Sequence, residues 1–120
     1  MKVLICGGRN WMDLSSVVYV LAAFEKENPI IIHGDCRGAD RIAGDIAKRL
    51  DYEVRVYPAE WDKYGRGAGF IRNQQMLDVE NPDMVIVFHN DLENSKGSKD
   101  MMRRAEKEGI IILHFRSYDV

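Results

Sequence analysis

Ile30-Ile31-Ile32-His33-Gly34-Asp35-Cys36-Arg37-Gly38-Ala39-Asp40 opens on three β-branched residues and leads into Ala39, Ile42, Ala43, Ile46, Ala47 and Leu50, one apolar face at helical spacing. A continuous apolar run this short suits a strand buried on both faces. The glycines at 34 and 38 bracket the turn into the helix. The same pattern of apolar run, polar turn and amphipathic helix recurs along the chain. Residues 3–6, 30–33, 54–57, 84–88 and 110–115 are predicted strands. Asp13 is placed to cap a helix carrying Leu14, Val17, Val18, Leu21 and Phe24. Two further helices are predicted over residues 68–77 and 98–108, the last stopping at Gly109. Four βα units and a closing strand predict an α/β, Rossmann-like, three-layer α/β/α domain around a parallel five-stranded sheet. No repeat or linker interrupts it, so residues 1–120 read as one domain. Residues 60–69 form the one long irregular stretch.

The composition narrows the function classes. With 120 residues there is room for one domain, and 46% hydrophobic residues suffice for a core. The formal net charge of -2 provides no global positive field, so nucleic acid is an unexpected partner. Cys6 and Cys36 form neither a metal-type CxxC pair nor a disulfide framework. The apolar start, Met1-Lys2-Val3-Leu4-Ile5-Cys6, is too short for a secretory leader or a membrane span. A cytoplasmic protein without a membrane partner is expected, with no metal and no cofactor.

In open α/β sheets, ligands sit beyond the carboxyl ends of the strands, where free helix N–H groups and the helix dipole favour anions. Four segments follow those strand ends. In Gly7-Gly8-Arg9-Asn10-Trp11 the glycines admit a close backbone approach and Arg9 offers a bidentate fork. A tight turn bearing a surface arginine fits the same residues. The segment from Gly34 to Arg41 adds Gly38 and Arg37, with Asp40 placed to cap the helix or bond a ribose hydroxyl. Cys36 reads first as a small, partly buried residue and second as a nucleophile. Beyond the third strand, Trp61 and Tyr64 are suited either to stack on a base or to pack under the loop, and Arg72 and Asn73 lie one turn into a helix. The fourth strand leads through His89, Asp91, Glu93 and Lys96 to Gly97-Ser98 at a helix start. The acidic pair lacks the supporting ligands that a metal needs. No G-x-G-x-x-G or Walker motif is present.

Cys6-Gly7-Gly8-Arg9-Asn10-Trp11, His33-Gly34-Asp35-Cys36-Arg37-Gly38-Ala39-Asp40, Pro58-Ala59-Glu60-Trp61, Ala68-Gly69 with Arg72-Asn73, and Gly97-Ser98-Lys99-Asp100-Met101 together resemble the YspA, or cpYpsA-related, branch of the SLOG superfamily. That superfamily includes the Lonely Guy phosphoribohydrolases and the DprA-like Rossmann domains. The resemblance implies a Rossmann-like fold and a site for nucleotides or nucleotide-derived ligands. Lonely Guy enzymes carry P-G-G-x-G-T-x-x-E, whose glutamate works on the N-glycosidic bond. Aligning its G-T with Gly97-Ser98 puts Met101 at the glutamate position. Asp100 is the adjacent carboxylate, turned about 100° around the helix. Asn94-Ser95-Lys96 replaces P-G-G.

The expected function is binding of a nucleotide-like, phosphate-bearing ligand, as in a sensor. Gly7, Gly8, Arg9, Gly34, Arg37, Gly38, Asp40, Arg72, Asn73, Gly97 and Ser98 would hold it. The alternative is hydrolysis of a nucleotide N-glycosidic bond, with Asp100, Asp40 or Glu60 as the acid/base. A purely protein-binding module is the third reading. A homo-oligomer is a further expectation, with Trp11, Tyr19 or Met102 offered to its interface.

Overall fold

The structure is a computed structural model and describes residues 1–117. Among these the chain forms β1 (Lys2–Gly7), α1 (Leu14–Ala22), β2 (Ile30–His33), α2 (Ala39–Arg49), β3 (Glu53–Val56), α3 (Trp61–Tyr64), α4 (Ala68–Glu80), β4 (Met84–Phe88), α5 (Gly97–Lys107) and β5 (Ile111–Phe115). All five strands are parallel, in the order β3-β2-β1-β4-β5. The register aligns Leu4 with Ile32 on one side and with Val85 on the other. This is the expected α/β, Rossmann-like architecture. No helix among the described residues is long and apolar enough to cross a membrane.

Two apolar layers sandwich the sheet. Val3, Ile5, Ile31, Ile86 and Phe88 pack beneath Val17, Leu21, Ala43 and Ala47 of α1 and α2. On the other face, Leu4, Ile32, Val85 and Val87 meet Met76 and Leu77 of α4 and Met101 and Ala105 of α5. Each fully buried Ile or Leu contributes about 1.5–3 kcal/mol, so the three central strands carry most of the cohesion. The edge strands are less buried: Val56 of β3 and Ile111 of β5 are exposed. This is why only the central runs are continuously apolar.

The boundaries follow local chemistry. The Asp13 carboxylate accepts from Ser16 N at 3.3 Å and starts α1. α1 ends at Ala22, so Phe24 lies beyond the helix and packs on the core from the following turn. α4 runs past residue 77 to Glu80, where Asn81 adopts a left-handed conformation at φ 48°. Residues 60–69 are more ordered than expected: α3 and a 3₁₀ turn at Gly65–Gly67 fill them before α4 starts at Ala68. Their polar and glycine-rich composition hides a helical turn too short to show a period. Trp11 is buried rather than offered to a partner: its ring packs on Phe88 at 5.5 Å, and its Nε1 donates to Asp13 O at 3.0 Å. Tyr19 is exposed and Met102 half-buried.

Candidate functional site

The strand order reverses between β1 and β4. The chain builds β1, β2 and β3 to one side, then returns to place β4 and β5 on the other. A crevice opens beyond the carboxyl ends of strands at such a switch point. Here Cys6 and Gly7 at the end of β1, His89 just past β4, and Gly97 and Ser98 at the start of α5 line a cavity of about 570 Å³. That is the size range of small-ligand pockets.

The glycines divide by what they face. Gly38, at φ +86°, packs so closely on the Gly8 and Arg9 carbonyls that a side chain would collide with them. Gly8 O also accepts from Ala39 N at 3.1 Å. Gly8 and Gly38 thereby lock the first loop onto the start of α2, and neither is part of the crevice lining. Gly34 leaves the space occupied by the Arg72 guanidinium, whereas Gly97 lines the crevice, and a Cβ built there would meet nothing within 4 Å among the described residues beyond its own neighbours in the chain. Gly97 is therefore the expected site glycine whose missing side chain leaves open space rather than admitting a protein neighbour.

Arg72 is 7% exposed and lies beneath two loops. Its Nη1 donates to Gly34 O at 2.6 Å and its Nε to Asn73 Oδ1 at 3.2 Å, with Nη2 at 3.7 Å from Cys36 Sγ. Its ordered hydrogen bonds go to neutral groups, and among the described residues no carboxylate lies within ion-pairing distance. Arg9 is exposed at the rim and likewise lacks an ion-pair partner there. Arg66 and Lys96 complete the basic lining. Sequence reasoning left Arg66 out because its loop brings it to the crevice only through α3 and the 3₁₀ turn. Arg37 faces an adjoining shelf, where its Nε and Nη2 reach Arg9 O and Asn10 Oδ1 at 3.4 and 3.5 Å.

The three candidate carboxylates part company. Asp40, 4% exposed, lines the crevice and accepts from Gly34 N at 3.0 Å and Cys36 N at 3.3 Å. Burial raises its pKa to about 6, against the lowering effect of those N–H bonds and of Arg72. Asp100 is not brought into the crevice. Its oxygens are held by Arg103 Nη2 and Arg104 Nε, both at 2.8 Å, and by Asn73 Nδ2 at 3.1 Å. That shift around α5 from the Met101 position points it at its own helix's basic residues. Asn73 does line the crevice, but its amide is committed to Asp100, to Gly97 O and to Arg72. Glu60 is exposed outside the lining.

His89 joins the site. Burial pushes its pKa below the ordinary imidazole value, and its Nδ1 accepts from Asp91 N at 2.9 Å. A neutral ring accepting at Nδ1 carries its proton on Nε2, so it can donate there. Burial raises the Cys6 thiol far above its usual range, which removes it as a thiolate nucleophile. Trp61, 50% exposed, forms part of the crevice wall through its position in α3.

Comparison with known proteins agrees with this architecture. The profile of the YAcAr family (YspA, cpYpsA-related SLOG) matches residues 1–64, the segment carrying the first two loops, α3 and Trp61. The Gene 61 protein of Mycobacterium phage D29 is 33% identical over 126 aligned positions, covering 95% of each chain. DNA processing protein A (DprA) from Streptococcus pneumoniae shares the fold at a TM-score of 0.72 and 21% identity. That likeness covers 94% of this chain and 49% of the DprA chain, so this chain spans about half its length. The chain belongs to the YspA, cpYpsA-related SLOG family.

Proposed function

We propose that the chain binds a nucleotide or nucleotide-derived, phosphate-bearing ligand in the crevice beyond β1 and β4. The observation carrying this reading is the unpaired basic lining of a pocket at the topological switch point. Arg72 at the floor is a desolvated cation that, among the described residues, makes no ion pair, although the charge of Asp40 acts on it, and such a cation favours an anion. Gly97 brings the start of α5 to a phosphate, next to a Ser98 N–H that donates to Ser95 Oγ at 3.1 Å, and Arg9 closes from the rim. Trp61 offers its ring to a base.

Thermal shift against mono-, di- and cyclic nucleotides, ADP-ribose and nucleotide sugars tests the proposal. A ligand at 100 times its Kd stabilises the fold by about 2.7 kcal/mol, a shift of several degrees. For the best ligand, Arg9→Ala should weaken binding by about 1.5–3 kcal/mol, the worth of a charged hydrogen bond. An unchanged Kd would remove Arg9 from the site. Since the structural neighbour is a DNA processing protein, a single-stranded oligonucleotide is the control, and its binding tighter than every small nucleotide would overturn the assignment.

One observation favours a second reading, hydrolysis of a nucleotide N-glycosidic bond. Asp40 combines burial, a raised pKa and a place in the crevice, the attributes of an acid/base group near neutral pH. On that reading chromatography of the best ligand detects released base, and Asp40→Asn abolishes the release. Ligand recovered intact leaves the binder alone standing.

A further inference from the structure

Beside the crevice lies a shelf of about 380 Å³ over the carboxyl ends of β2 and β3. Arg9, Cys36, Trp61 and Arg72 line both cavities, so the two share a wall. The shelf adds Arg37 and Arg41, giving four guanidiniums against one lining carboxylate, Asp35, with the buried Asp40 carboxylate beneath on Gly34 N and Cys36 N. Asp35 is already paired with Arg41 Nε at 3.2 Å. In a chain of net charge -2, this is a local concentration of positive charge opposite to the overall sign.

Exposed arginines alone would be satisfied by water. The floor is different, because Arg72 is buried and its hydrogen bonds go to neutral groups. Arg37 is held over the shelf by hydrogen bonds at 3.4 and 3.5 Å, near the outer limit of such contacts, which leaves most of its guanidinium face available. Its loop is also held in a costly conformation: Asp35 sits at φ 61°, with its N–H on His33 Nδ1 at 3.0 Å. Like charges crowded on one shelf repel each other unless an anion lies between them.

Because Gly97 and Ser98 line only the crevice and Arg37 and Arg41 only the shelf, we propose that this shelf is a second anion subsite, and that the ligand carries two phosphate groups separated by a sugar rather than adjacent to each other. One phosphate lies at Gly97-Ser98 and the other among Arg9, Arg37 and Arg41, with Trp61 and Arg72 at the boundary. This assignment rests on the nucleotide reading of the crevice and specifies which nucleotides it prefers.

Isothermal titration with adenosine 3′,5′-bisphosphate, ADP and AMP tests the proposal at two salt concentrations. The expected result is that the 3′,5′-bisphosphate binds at least tenfold tighter than AMP and tighter than ADP, with the steeper salt dependence. In the Arg37→Gln/Arg41→Gln double variant, the ratio of bisphosphate to AMP affinity should collapse to about one. Circular dichroism and the melting temperature check that this variant is folded. Equal affinities for the bisphosphate and AMP in the wild type would overturn the second subsite and leave the nucleotide reading intact. A ratio that survives the double substitution would also overturn it. No binding of any of the three, together with no thermal shift across the wider panel, would overturn both.

Discussion

Arg72 and Glu80 are both buried charges on α4, two turns apart, and the fold treats them in opposite ways. Glu80, 2% exposed, is surrounded by Arg55 Nη1 at 2.7 Å, Lys2 Nζ at 3.3 Å and the Tyr57 hydroxyl. Burial alone would raise its pKa, but the hydrogen bonds from Tyr57, Arg55 and Lys2 outweigh burial and hold it below the ordinary glutamate value. Arg72 has carbonyls, an amide and a sulfur as its hydrogen-bond partners; the charge of Asp40 acts on it, but among the described residues no carboxylate makes an ion pair with it. A buried charge that the chain neutralises ties elements together, here β1, β3 and α4. One that makes no ion pair and is held by neutral hydrogen-bond partners at a crevice floor is a position that a ligand can complete.

The largest effect expected from this contrast is on stability at Glu80. Glu80→Ala leaves a void, takes the acceptor from the Tyr57 hydroxyl and removes one partner each from Arg55, which keeps Glu53 Oε2 at 2.7 Å, and Lys2, which keeps the residue-80 carbonyl at 3.0 Å. Removing one member of a buried pair costs 3–5 kcal/mol, and the partial exposure of Arg55 and Lys2 puts this case near about 3 kcal/mol. Urea unfolding measures it, and nucleotide affinity should not change. A loss under about 1 kcal/mol would make Glu80 an ordinary surface carboxylate and end the comparison.

Asp40 sharpens the contrast at the crevice. Its pKa is raised from 3.8 to about 6 in the folded chain, so the native state holds a proton that the unfolded state has released. The stabilisation is fully present below pH 3.8 and is lost as pH rises through about 6. A shift of this size corresponds to roughly 2–3 kcal/mol. Asp40→Asn should flatten the fall in stability between pH 4 and 6, read from urea midpoints across that range. An unaltered pH profile would mean that Asp40 ionises freely and that the crevice is wetter than its burial implies. Glu80 has the opposite sign, since its depressed pKa gives stability that is lost as pH falls below about 4.5.

The architecture was legible because the strand signals are strongest where burial is two-sided. Ile30-Ile31-Ile32 and Met84-Val85-Ile86-Val87-Phe88 have no competing helical period, and their parallel pairing follows from the helices between them. The loops that build the crevice were legible for the same reason, since topology puts every strand end on one edge. What each side chain does there was not. The sequence places Arg72 and Asn73 side by side. It does not say that Gly34 makes room for the first, or that Asp100, twenty-seven residues after Asn73, holds the second. Those are long-range contacts without a local period. Gly38 and Gly97 look alike as letters and differ only in their neighbours: one carries the carbonyls of a distant loop, the other faces open space. Residues 60–69 failed as a structural prediction because a four-residue helix is shorter than the window in which periodicity can be detected.

Gly97 gives the smallest effect on stability and the cleanest separation of fold from site. It is the first residue of α5, at a φ outside the left-handed region, with no atom near the position of a Cβ. Alanine is the better helix former by up to about 1 kcal/mol in a helix interior, and by less at the first turn. Gly97→Ala should therefore leave the protein as stable as the wild type or raise its stability by about 0.5 kcal/mol. Gly97 lines the crevice next to Ser98, so an added methyl there is expected to narrow the approach of the proposed phosphate to the backbone. Affinity for the best nucleotide should fall about tenfold, roughly 1.4 kcal/mol, measured by titration on the same preparation. Gain of stability with loss of binding is the signature of a glycine kept for a ligand, because no packing defect produces both together. If both quantities stay at their wild-type values, the phosphate lies elsewhere in the crevice, and Arg9 and Arg72 bind it without the start of α5.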